Sequence, residues 1–185
     1  MADEEQLPVH HLSDALKRQY HAGLAMLRET IENCPEAEWT SRQHTNAYWQ
    51  IAYHVLYFTH LYLQIEEAAF VPWSAHQSDV QHEDGIAGPA DPQSDLPLLP
   101  RPYTRQEALE YLQLCDSLVD DAVDTMDLNS PDSGFSWYPI SKLEHQLVNL
   151  RHLQHHTAQL ADRLRASTGA GTRWVGSRTT TEAAD

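Results

Sequence analysis

Three histidines fall within five positions in RHLQHHTAQL, residues 151–160. Imidazole titrates near neutral pH and is the commonest protein ligand for metals. Side chains four apart are neighbours on a helix, so His152 and His156 can offer two ligands to one cation. Laid on a wheel at about 100° per residue, Leu143, Leu147, Leu150, Leu153, Leu160 and Leu164 define a core arc, and Glu144, Arg151 and Asp162 a solvated one. His152 and His156 lie on the flank between them, in a stripe with His145, Asn149, Gln159 and Arg163, whereas His155 turns towards the charged side. A third ligand must come from another helix. His54 shares a face with Ile51, Phe58 and Leu61, where an imidazole is costly unless a carbonyl, carboxylate, water or metal meets it.

A site of His54, His152 and His156 with a position left open for water would satisfy all three rings. Two blander readings stand beside it. A lone His on an apolar face is more often a satisfied core residue, and a polar stripe bordering a groove accounts for the His152/His156 pair nearly as well. His145, Asn149, His155 and Gln159 are in the same position: candidates to orient ligands or substrate, or ordinary groove residues. No Ser-His-Asp or Cys-His arrangement offers a rival nucleophile, and Cys115 falls on an apolar helix face where a structural role is expected.

Four amphipathic stretches must position these residues. Leu16, Tyr20, Leu24, Leu27 and Ile31 recur at helical spacing and predict a first helix from about Ser13 to Cys34, ended by Pro35. The second, about Asn46 to Glu67, is apolar around most of its circumference and is expected to be buried. The third and fourth open with Thr104-Arg105-Gln106-Glu107 and Ser141-Lys142-Leu143-Glu144, two capping-box patterns. The third runs towards Leu128, and the fourth yields to the segment at Thr168 to Gly171. Between helices two and three lies a long polar crossover, about Val71 to Tyr103, expected to pack over one end of a bundle. The stretch SGFSWYPI before helix four is a shorter aromatic linker able to wall a pocket. In the tail, Trp174 and Val175 are the residues that would dock it, and the last residues are expected to be disordered. The fold expected is all-α: one four-helix bundle over residues 1–167, followed by a tail of 168–185.

Bulk properties narrow the function classes. With 27 Asp and Glu against 12 Lys and Arg, the net charge of -15 repels phosphate backbones and anionic lipid, so neither nucleic acid nor membrane is an expected partner. Cys34 and Cys115 form no CxxC or knuckle pattern, which fits a reducing, cytoplasmic setting. The acidic start MADEEQLPVH carries no apolar signal core, and no run reaches the roughly 18 apolar residues of a membrane span. Twelve His, among which only His10-His11 and His155-His156 are adjacent, is a high count for 185 residues and asks for a chemical explanation.

Two stretches, NAYWQIAYHVLYFTHLYL at 46–63 and NLRHLQHHTAQL at 149–160, resemble the DinB/YfiT-like superfamily of bacterial helical proteins, the second through its HxxHHxxQ pattern. The likeness spans roughly residues 12–166. It implies an up-down-down-up four-helix bundle with the long crossover between helices two and three. It also implies a divalent metal, commonly zinc or nickel, held by His54, His152 and His156. The activity implied is that of a metal-dependent thiol S-transferase or hydrolase acting on a small molecule, with a low-molecular-weight thiol as a further cofactor. A reading from a different class is a non-catalytic, stress-associated bundle, working as a homodimer, whose metal is structural or absent. The insert HQSDVQHEDG and the LPLLP stretch belong to no pattern of that family.

Overall fold

In a computed structural model, the structure describes residues 9–78, 80–82 and 101–179. The fold is all-helical: α1 (Val9–Asn33), α2 (Glu36–Trp39), α3 (Tyr48–Tyr62), α4 (Arg105–Thr125) and α5 (Lys142–Thr168), with a 3₁₀ turn at Glu67–Ala69 and no strand among the described residues. None of these helices is long and apolar enough to cross a membrane.

The apolar spacing of α1 does what it predicts, since Leu16, Tyr20, Leu24, Leu27 and Ile31 are all buried. Beyond Pro35 the chain makes one unexpected turn, α2. It exists to seat Trp39, which is 1% exposed and donates its indole N–H to the Tyr103 carbonyl at 2.7 Å, fixing the approach to α4. Helix α3 has no Ser or Thr cap. The Gln50 side chain instead accepts from the Ala47 N–H at 2.7 Å, satisfying one of the free donors of the first turn.

Helix α3 stops at Tyr62, short of the expected Glu67. The reason is tertiary: the Lys142 ammonium donates to the carbonyls of Ile65 and Ser133, and the Glu67 N–H donates to the Gly134 carbonyl at 3.1 Å. Backbone groups that would continue the helix are thus committed to the first residue of α5 and to the 130–140 linker. Helix α4 likewise ends at Thr125 rather than Leu128, because Met126 turns extended and Met126 and Leu128 dock into the core without helical geometry.

The Thr104/Glu107 box closes in both directions, at 2.7 and 3.2 Å. At α5 only half of the pattern forms: Ser141 Oγ accepts from the Glu144 N–H at 3.2 Å, and among the described residues Glu144 makes no return bond.

Helix α1 packs on α4 and α5, and α3 packs on the same two helices. Between α1 and α4, Lys17 meets Asp124, His21 meets Asp116 and Asp120, and Arg28 meets Gln113. Between α3 and α5, Tyr62 meets Gln146, Thr59 meets Asn149, His54 meets His152, and the Asn46 carbonyl just ahead of α3 meets Arg163. Because α5 is wedged between α1 and α3, its buried arc is wider than leucine spacing implies. It takes in His145, Gln146, Asn149 and Thr157, each 0% exposed, while Leu147, expected in the core, is 49% exposed. Gln146 and Asn149 tolerate burial by donating to the helix-end carbonyls of Tyr62 and Thr59, and Gln146 also accepts from the Tyr20 hydroxyl at 2.7 Å.

The linker closes one end. Phe135 is buried with Leu61 and Tyr62 in a separate aromatic cluster. The tail lies along α1 but is held by polar groups rather than by its tryptophan: the Arg173 N–H donates to Glu29 at 3.3 Å and Gln19 donates to the Gly176 carbonyl at 3.0 Å, while Trp174 is 77% exposed. The expected disorder covers the last residues, RTTTEAAD at 178–185; of these, 180–185 lie outside the described residues, as do LPLLP and the end of the HQSDVQHEDG insert, whereas the Arg178 N–H donates to the Arg18 carbonyl at 3.4 Å.

Candidate metal centre

Three imidazoles converge where α3 faces α5. The ligand-competent atoms of His54, His152 and His156 all lie within 4.8 Å of one another, and His54 Nε2 is 3.0 Å from His152 Nε2. Two imidazole nitrogens on one tetrahedral cation, each bound at about 2.0–2.1 Å, sit roughly 3.3 Å apart, close to the separation seen.

The other face of each ring says which nitrogen is available. His54 Nδ1 is 2.6 Å from the Gln81 carbonyl, which can only accept, so Nδ1 carries the proton and Nε2 keeps its lone pair. His156 Nδ1 donates to Gln159 Oε1 at 3.1 Å, with the same consequence. An outward Nδ1–H held by an oxygen is the arrangement that aims Nε2 at a metal. His152 Nδ1 is buried and has no hydrogen-bond partner among the described residues. Burial pushes the His152 pKa down to about 3, and the neighbouring His156, His54 and His155 push it the same way, so the ring is neutral and able to ligate. Phe58 packs tilted against His54 and edge-on against His152, with ring centroids 4.8 and 5.5 Å away, and supplies the apolar wall behind them.

The remaining sequence candidates take separate places. Gln159 is the residue that holds His156. His155 is exposed and touches the site only through its ring contact with His156, at 4.9 Å. Asn149 is buried one turn before the trio and donates to the Thr59 carbonyl at 3.3 Å. His145 lies further along, fully buried and boxed by Tyr62, Phe135 and Tyr138, with neither ring nitrogen hydrogen-bonded among the described residues. Burial, with Lys142 beside it, lowers the His145 pKa to about 4.

Sequence reasoning missed Gln81, since a backbone carbonyl carries no side-chain signature. Its neighbour Val80, 1% exposed, is an apolar residue in a polar crossover and was the one signal that this segment is tied down. A shallow, open cleft of about 590 Å³ lies beside the trio along one face of α5, lined by Val148, Arg151, His152, Gln154, His155 and Ala158, so His152 belongs to both cleft and trio. Cys115 is fully buried, donates its thiol to the Leu56 carbonyl at 3.5 Å, and is held protonated by burial. Compared with protein-family models, with curated proteins and with solved structures, the chain matches none.

Proposed function

We propose that the protein is a divalent-metal-binding, DinB-like bundle acting as a metal-dependent thiol S-transferase or hydrolase on a small molecule, with His54, His152 and His156 as ligands. The observation that carries this reading is the convergence of the three rings with two of their Nδ1–H groups held by oxygens. Zinc or nickel suits an all-imidazole set. A metal so bound would lower the pKa of water or of a low-molecular-weight thiol in its open position. The chain's own part is to keep His152 neutral, to fix the tautomers of His54 and His156, and to exclude water from the Phe58 side.

An up-down-down-up order belongs to the same proposal. It is supported by partners that run in opposite senses along α1 and α4 and along α3 and α5. A small-molecule rather than nucleic-acid substrate is supported by the net charge of -15. A cytoplasmic setting is supported by two free, buried cysteines, and a homodimer by the exposure of Leu147. In the alternative, a non-catalytic bundle with a structural metal, a fourth protein ligand would close the site. No fourth His, Cys, Asp or Glu joins the trio among the described residues.

Elemental analysis of untagged protein, grown with zinc and nickel supplied, tests the reading: about one metal per chain is expected, and none in His152→Ala. Metal near zero in the wild type sinks it. If cobalt-substituted protein keeps the same absorption spectrum across a panel of thiols, the transferase form fails and the structural alternative gains.

A further inference from the structure

The cleft beside the trio carries a cation and no carboxylate. Its lining is Val148, Arg151, His152, Gln154, His155 and Ala158, in a chain where acids outnumber bases 27 to 12. Five of the ten described arginines are held by named partners: Arg28 by Gln113, Arg101 by Glu107, Arg105 by Glu36, Arg163 by the Asn46 carbonyl and Arg173 by Glu29. Arg151 has no hydrogen-bonding or ionic partner among the described residues, although its fork of donors matches a carboxylate. Its nearest acids along α5, Glu144 and Asp162, are seven and eleven residues away. An exposed cation left unpaired in an acidic protein, one residue from a candidate metal ligand, concentrates small anions at that spot. Val148 and Ala158, on the same open face of α5, add apolar surface for a short carbon skeleton.

We infer that Arg151 is a specificity residue that captures the carboxylate of a small organic acid, whose other end reaches the His54/His152/His156 centre. The inference rests on the metal-site reading for the reacting end, but the carboxylate subsite stands on Arg151 and the cleft alone. The carboxylate could sit on the thiol or on its electrophile, and paired probes separate the two.

Zinc-loaded protein titrated with 3-mercaptopropionate and with 1-propanethiol tests the thiol. Titration with crotonate and with crotonamide tests the electrophile. Binding is followed by NMR shifts of the 148–158 backbone amides and the Arg151 side chain. At least one acid is expected to bind about fivefold tighter than its neutral partner, the upper end of the worth of one exposed Arg–carboxylate pair. Arg151→Gln should abolish that preference and Arg151→Lys should restore part of it, both with unchanged metal content. Equal binding of acid and neutral probe in both pairs, or a preference that survives Arg151→Gln, overturns the inference. A parallel titration of metal-free protein with butyrate separates the two readings. Arg151-dependent shifts there uphold the subsite even if no metal is ever bound, and their absence in both forms removes it.

Discussion

Gln159 lies one turn beyond His156, and its side-chain oxygen holds the proton that would otherwise leave the ring free to rotate. Replacing it by Leu keeps the helix but removes the acceptor, so zinc affinity is expected to fall about tenfold to a hundredfold. Competition with a chromophoric chelator measures this, and unchanged affinity would remove Gln159 from the site. Two other buried histidines act on stability rather than on ligation. Burial lowers His60 to about 4, and burial with the Lys142 charge does the same for His145, from 6.5 in both cases. Between those values the unfolded chain binds more protons than the folded one. Metal-free protein should therefore lose stability as pH falls from 6.5 to about 4, by on the order of 3 kcal/mol per group, and lose nothing more from these groups below that. Urea denaturation of His145→Phe across this range should show a shallower acid slope than the wild type. His21 has the opposite sign. Burial opposes its charge, but hydrogen bonds and attraction from Asp116 and Asp120 raise its pKa. Its contribution is complete below 6.5 and lost as pH rises through the folded value.

At the scale of elements, two glycines at positive φ end or redirect segments for different reasons. Gly169 caps α5 at φ 75° with its N–H donating to the Arg165 carbonyl, and nothing lies within 4 Å of where a Cβ would stand. Gly169→Ala should thus cost only the backbone term, about 1 kcal/mol, seen as a drop of roughly 2–4 °C in melting temperature. Gly134 has φ 83° and a Cβ there would overlap the Ile65 carbonyl. That carbonyl also receives Lys142, so Gly134→Ala should cost clearly more and loosen the linker from the end of α3. Thermal melts of the two variants side by side decide the matter. Equal losses would mean that the linker contact contributes little.

The whole molecule joins its candidate centre to the crossover through a single described segment. Val80 is buried in the main core, and the adjacent Gln81 carbonyl receives His54. On either side of that segment along the same connection, Trp73 stacks on Tyr111 with centroids 4.7 Å apart, and Tyr103 on Tyr53 at 4.5 Å, so the crossover is pinned to α3 and α4 by aromatic faces. Val80→Asp would place a charge where there is no partner and lift that segment. Metal affinity should drop while helical circular dichroism stays near the wild-type value. Loss of helix as well would show that Val80 supports the core generally rather than the site.

The helical class and the starts of α3, α4 and α5 were legible in the sequence, because 3.6 residues per turn sets the apolar face and cap patterns mark helix starts, although α1 opens at Val9, ahead of the expected Ser13. His152 and His156 were legible as a candidate pair, because a spacing of four aligns two imidazoles, whereas the approach of His54 to within 4.8 Å of them belongs to the packing of α3 on α5. The tertiary structure decided what period cannot encode. Leu147 faces outwards while Gln146 and Asn149 are buried, because α5 meets two helices and helix-end carbonyls await those amides. Helix α3 ends early because Lys142 and Gly134 claim its backbone. The tautomer of His54 is fixed by a carbonyl 27 residues away, and a backbone oxygen leaves no mark in the residue letters; only the folded path of the crossover brings it to the ring.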